Sequence, residues 1–169
     1  MSNAAHRGST AWRVLKFGGT SVATLANWRS IAATVQQRSA DGSPILIVHS
    51  ALSGVTDLLE RAFAAAIEQG ASAELLALQE RHLSLARDLG LSVVPSFDAQ
   101  FSSLRARLES ISEGGVPTAR DRAAVIAHGE LLATALGEAY LRAQGLPAVW
   151  LDAREVLRAV RREGATEQA

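Results

Sequence analysis

Apolar positions along the chain change rhythm near residue 50. Before it they come in short runs. Trp12 to Phe17 reads as a strand, and Ile45-Leu46-Ile47-Val48 is four β-prone residues in a row, which predicts a strand covered on both faces. Between them Val22, Leu25, Ile31, Ala32 and Val35 supply the buried side of a helix reaching about Arg38, capped by Ser21 or Thr24. Asp41-Gly42-Ser43-Pro44 turns the chain towards the second strand. Strand, helix, strand in this order is a βαβ unit with a right-handed crossover.

After residue 50 the spacing becomes helical. Leu58, Leu59, Ala62, Phe63, Ala66 and Ile67 mark a helix capped by Thr56 or Asp57 and stopped near Gly70. Further helices are expected from about Ser72 to Leu89, Phe97 to Ile111, and, as one long element, Ala119 to Gln144. Gly145-Leu146-Pro147 ends the last one, and Ala148-Val149-Trp150-Leu151 reads as a third strand. Three strands cannot close a doubly wound sheet without leaving edges exposed, so the chain reads as stopping early.

Length and composition narrow the class. The 169 residues suit one domain or part of one, and 48% are hydrophobic, enough for a sizeable core. Seventeen basic and seventeen acidic residues balance, which removes any general electrostatic case for nucleic acid or a membrane surface. Without cysteine there is neither a disulfide nor a thiolate metal site, in keeping with the cytoplasm. Met1 to Thr10 lack the apolar centre of a secretory signal and read, with Ala11, as a flexible leader; residues 159–169 read as a divergent or disordered tail.

Three segments carry candidate chemistry. Val14-Leu15-Lys16-Phe17-Gly18-Gly19-Thr20-Ser21 delivers a lysine to a strand end and then a double-glycine turn. An ammonium group is costly to bury, so Lys16 is expected to face an anionic partner. Gly18 and Gly19 let backbone approach that partner and allow positive φ. Thr20 and Ser21 would add hydroxyls and N–H groups at a helix start, where negative charge is favoured. Together these describe a phosphate site, although a plain strand-to-helix turn has the same residues.

His49-Ser50-Ala51-Leu52-Ser53-Gly54-Val55-Thr56 comes directly after the second strand, and ligands of open α/β sheets bind at the strands' carboxyl ends. Ser50, Ser53 and Thr56 serve equally as turn and cap residues. In Ala127-His128-Gly129-Glu130-Leu131-Leu132, Gly129 costs about 1 kcal/mol relative to alanine inside a helix, which points to close approach by backbone, a packed helix or a ligand. Glu130 beside it either projects into the opening, to hold an ammonium group, or is solvated. His82 and His128 read as packing or hydrogen-bonding residues rather than catalysts.

Taken in order, Lys16-Phe-Gly-Gly-Thr-Ser-Val22, Ser50-Ala-Leu-Ser-Gly-Val-Thr56, His128-Gly-Glu-Leu-Leu132 and Leu151-Asp-Ala-Arg154 resemble the amino-terminal part of aspartate kinases. The resemblance covers about residues 12–158. It implies an α/β, amino acid kinase-like (carbamate kinase-like) three-layer αβα fold with a mainly parallel sheet, here truncated. It implies phosphorylation of the L-aspartate side-chain carboxylate by MgATP to β-aspartyl phosphate, the entry to lysine, threonine and methionine. On that resemblance Lys16 would be catalytic, and Lys16, Gly18, Gly19, Thr20 and Ser21 would hold the ATP phosphates. Ser50, Thr56 and Glu130 would hold aspartate, Glu130 through its α-ammonium group.

L-aspartate and ATP are thus the expected partners, Mg2+ the expected metal, and a homo-oligomer the expected full-length state, with neither nucleic acid nor membrane involved. In the family the kinase domain runs well past this length, so the isolated chain is expected to show little or no activity. Its amino-terminal style is closest to kinases fused to homoserine dehydrogenase or diaminopimelate decarboxylase. Two other readings stay open: a non-catalytic binding or assembly module, and an amino acid kinase with a different acidic substrate.

Overall fold

The computed structural model describes residues 11–158 apart from 69, 93 and 115; the leader's first ten residues and the expected tail lie outside the described residues. Strand β1 (Arg13–Phe17) pairs in parallel with β2 (Ile45–His49), with Lys16 opposite Val48 and Phe17 opposite His49. Helix α1 (Leu25–Ser39) forms the crossover, its first turn capped by Thr24, whose side chain accepts from the Asn27 N–H. The return turn is pinned to the start of β1: Asp41 accepts two hydrogen bonds from Arg13, at 2.9 and 2.5 Å, and another from the Ser43 N–H at 3.0 Å. These donors hold the Asp41 carboxyl well below the usual carboxylate range.

The helical half comprises α2 (Val55–Glu68), α3 (Ser72–Asp88), α4 (Pro95–Ser112), α5 (Ala119–Ile126), α6 (His128–Ala143) and the short α7 (Ala153–Val156). Helix α2 is the hub, packed against α3, α4, α5 and α6. Leu59, Leu78, Leu104, Leu132 and Leu136 are fully buried between these helices, as their spacing predicts. α5 starts on a capping box, with Thr118 and Asp121 satisfying each other's backbone N–H groups.

Four details differ from the sequence expectations. Helix α2 begins at Val55, so neither Thr56 nor Asp57 caps it; Gly54, at φ +80°, makes the turn instead. The long helix is two, α5 and α6, joined at Ala127, where the chain stays helical in φ and ψ. There the His128 ring engages the Ala124 carbonyl at 2.8 Å, a side chain inserted into the helical ladder.

The expected strand at 148–151 does not form. Trp150 instead donates its indole N–H to the Thr134 hydroxyl on α6 at 2.9 Å, and Val149 is exposed. Finally, the sheet is covered on one face only. Leu15, Phe17, Ile45 and Ile47 pack on the core, while Val14, Lys16, Leu46 and Val48 alternate onto an open face.

Candidate functional site

The two strands end side by side, and the loops that leave them pack against each other. The Ser50 N–H donates to the Phe17 carbonyl at 3.1 Å, extending the parallel ladder one residue past β2. A 3-10 turn, Gly19–Val22, then folds against the second loop so tightly that a Cβ on Gly19 would lie 2.6 Å from the Ala51 carbonyl oxygen. Gly19 is therefore required by close approach. Positive φ is not used: Gly18 sits at φ −81°, and neither glycine adopts the left-handed region. A Cβ on Gly18 would meet nothing, so its backbone borders open space.

Helix α6 closes the third side. A Cβ on Gly129 would lie 2.8 Å from the Ala51 Cβ, 3.2 Å from Leu59 and 3.4 Å from Val55, so α6 lies against both α2 and the loop. Its helix-packing reading is the one the geometry bears out. That contact carries Glu130 to the loop, where its Oε1 accepts from the Ala51 N–H at 3.3 Å. Lys16, Gly18, Gly19, Ser50 and Glu130 thus belong to one cluster of loops at the carboxyl end of the sheet, with Lys16 on the open face and Glu130 exposed.

The remaining candidates stand further out. Thr20 is exposed, its carbonyl held by the Asn27 amide at 2.8 Å. The Ser21 N–H donates to the Gly18 carbonyl at 2.9 Å and closes the turn. Neither residue lies at an α-helix start, because α1 begins at Leu25. Thr56 is exposed on the first turn of α2, directly after the loop that follows β2.

Beneath the loops lies a pair that motif and spacing do not reveal. Trp28, nearly fully buried, donates its indole N–H to the Val22 carbonyl at 2.9 Å, which ties down the end of the 3-10 turn. Its ring meets His49 edge-on at 5.5 Å and Tyr140 at 5.8 Å. Gly137, two turns along α6 from Gly129, leaves the space that the Trp28 ring fills; a Cβ there would collide with it and lie 3.0 Å from His49 Nε2. The one available signal in the sequence is a glycine pair at a spacing of eight on one helix, together with a tryptophan in the crossover helix.

The three histidines among the described residues are buried structural groups. Burial pushes the pKa values of His49, His82 and His128 down, that of His82 to about 4. His82 and His128 each engage the carbonyl four residues back, as their packing reading expects. Among the described residues no group of three or more His, Asp or Glu side chains could hold a metal ion, and no helix is long and apolar enough to cross a membrane.

The model of the amino acid kinase family matches residues 11–169. Among curated proteins, an aspartokinase of Chlamydia muridarum is 32% identical over 85% of this chain and 30% of its own length. A chloroplastic bifunctional aspartokinase/homoserine dehydrogenase of Arabidopsis thaliana is 32% identical over 87% of this chain and 17% of its own. The chain thus spans less than a third of either relative. The crystal structure of Escherichia coli aspartokinase III in complex with aspartate and ADP aligns with a TM-score of 0.69 at 27% identity, covering 86% of this chain and 32% of that one.

Proposed function

The chain belongs to the amino acid kinase family, and from that premise we propose that it forms the front part of an aspartate kinase, supplying the phosphate-facing lysine and the aspartate-facing carboxylate. One observation carries the reading: the Lys16–Gly19 turn, the Ser50–Ser53 loop and Glu130 meet through the Gly19–Ala51 approach and the Glu130–Ala51 hydrogen bond. The relatives named aspartokinase, and the neighbour crystallised with aspartate and ADP, support the choice of substrate.

The chemistry asks little of a base. The aspartate side chain is already ionised at neutral pH and is itself the nucleophile. Its oxygen attacks the γ-phosphorus of ATP, the bond from that phosphorus to the bridging oxygen breaks, and ADP leaves with its electron pair. Catalysis is then positioning plus charge stabilisation. Lys16, exposed at the strand end, offsets charge on the phosphoryl oxygens, and the bare Gly18 backbone lets the phosphates come close. Ser50 and Thr56 supply hydroxyls beside the substrate, Thr20 and Ser21 border the phosphates, and Glu130 takes the α-ammonium group. Mg2+ enters this reading as part of MgATP. The setting is the cytoplasm or an equivalent biosynthetic compartment, and the full-length protein assembles with copies of itself.

Glu130→Gln keeps the shape and removes the charge. Isothermal titration of the natural polypeptide with L-aspartate should show at least a tenfold loss of affinity in this variant, the order expected for losing a charged hydrogen bond. Unchanged aspartate affinity would remove Glu130 from the site.

A further inference from the structure

His49 closes an otherwise apolar strand, Ile45-Leu46-Ile47-Val48, and is only 8% exposed. A polar ring in such a place costs free energy unless hydrogen-bonded, and a leucine would pack against Trp28 without that cost. Unlike His82 and His128, it does not bond back along a helix. Its Nδ1 lies 3.0 Å from the carbonyl oxygen of Ser50, inside the candidate site. A carbonyl only accepts, so Nδ1 carries the proton and donates.

That carbonyl and the Ala51 N–H belong to one peptide unit. No peptide bond among the described residues is cis, and in a trans peptide the C=O and N–H point opposite ways. The unit is therefore gripped at both ends: His49 holds the carbonyl from beneath, and Glu130 accepts the N–H at 3.3 Å from the other side. The His49 ring is in turn set by Trp28, which also ties down Val22, and by the gap at Gly137.

We infer that His49 is a positioning residue that locks the Ser50–Ala51 peptide so that the Ala51 N–H faces the substrate side, where Glu130 occupies it in the free protein. An N–H so aimed is a donor for an anionic group of the ligand, the carboxylate or phosphoryl oxygens, once Glu130 turns to an ammonium group. Only this last consequence rests on the aspartate kinase reading.

Asparagine and glutamine at position 49 separate donor from filler, because an asparagine amide reaches the place of imidazole Nδ1 and a glutamine amide that of Nε2. In the natural polypeptide, hydrogen exchange at the Ala51 amide should stay within about threefold of wild type in His49→Asn and rise roughly three- to tenfold in His49→Gln, the range of one net hydrogen bond. Amides of α2 serve as the control. L-aspartate affinity should follow the same order. Equal Ala51 exchange in the two variants, or faster exchange in His49→Asn, overturns the positioning role. Wild-type protein that binds no aspartate sinks the kinase reading, while the exchange data still decide the role of His49.

Discussion

Replacing Gly19 by alanine places a methyl group 2.6 Å from the Ala51 carbonyl oxygen and 3.4 Å from the Ser53 nitrogen. The first contact is about 1 Å inside the optimal separation, and both partners are backbone, so no rotamer change relieves it. One loop must move away from the other. Overpacking of this kind costs about 1–3 kcal/mol. Gly18 is the internal control: at φ −81° and ψ 170°, with nothing within 4 Å, alanine there is unstrained. Lower entropy of the unfolded chain should leave Gly18→Ala equal to wild type or more stable by up to about 1 kcal/mol. Urea unfolding followed by tryptophan fluorescence measures both. If the two loops meet as described, Gly19→Ala falls by at least about 1 kcal/mol while Gly18→Ala does not. Equal stabilities for the two variants, or a larger loss at Gly18, would refute the packing of the turn on the Ala51 loop.

Gly137→Ala should destabilise by about 1–3 kcal/mol, because the added methyl collides with the Trp28 ring held between His49 and Tyr140; a lowered thermal unfolding midpoint checks it. Acid should destabilise the protein through His82, whose folded pKa of about 4 lies below the ordinary 6.5. The unfolded chain takes up this proton first, so the stability His82 contributes falls as pH drops from about 6.5 to 4, and this contribution levels off below. The loss is about 3 kcal/mol at most. Urea titrations at about pH 7 and about pH 4.5 should show a smaller difference between the two conditions in His82→Leu than in wild type, and an equal one would contradict the assignment.

Much of this architecture could be read from the chain because its cues are local. Short apolar runs mark β1 and β2, period-3.6 spacing marks the buried leucines of the helices, and glycine and proline mark their ends. Where the outcome depended on distant partners, the sequence was silent or misleading. Ala148–Leu151 has strand composition, but a strand forms only when paired with a neighbour, and Trp150 bonds Thr134 on α6 instead. Ile45–Val48 looks buried on both faces, yet Leu46 and Val48 are exposed, since covering a second face depends on what packs there.

The candidate site shows the same division. Residue type singles out the Lys16–Gly19 turn, the Ser50 loop and Glu130 as candidates, and the structure joins these segments through the Gly19–Ala51 approach and the Glu130–Ala51 hydrogen bond. The His49–Trp28–Gly137 support beneath them carries no motif. It arises from three elements meeting in space, which single-chain spacing does not encode.

The central claim is that the loop cluster around Lys16 transfers a phosphoryl group to aspartate. The most direct test is aspartate-dependent ADP release by the full-length protein with MgATP, wild type against Lys16→Ala. The account predicts turnover that requires L-aspartate and falls by at least about a hundredfold in the variant, the scale of losing one transition-state charge contact. Turnover undiminished in Lys16→Ala, or no aspartate-dependent ADP release from the wild type, would contradict it.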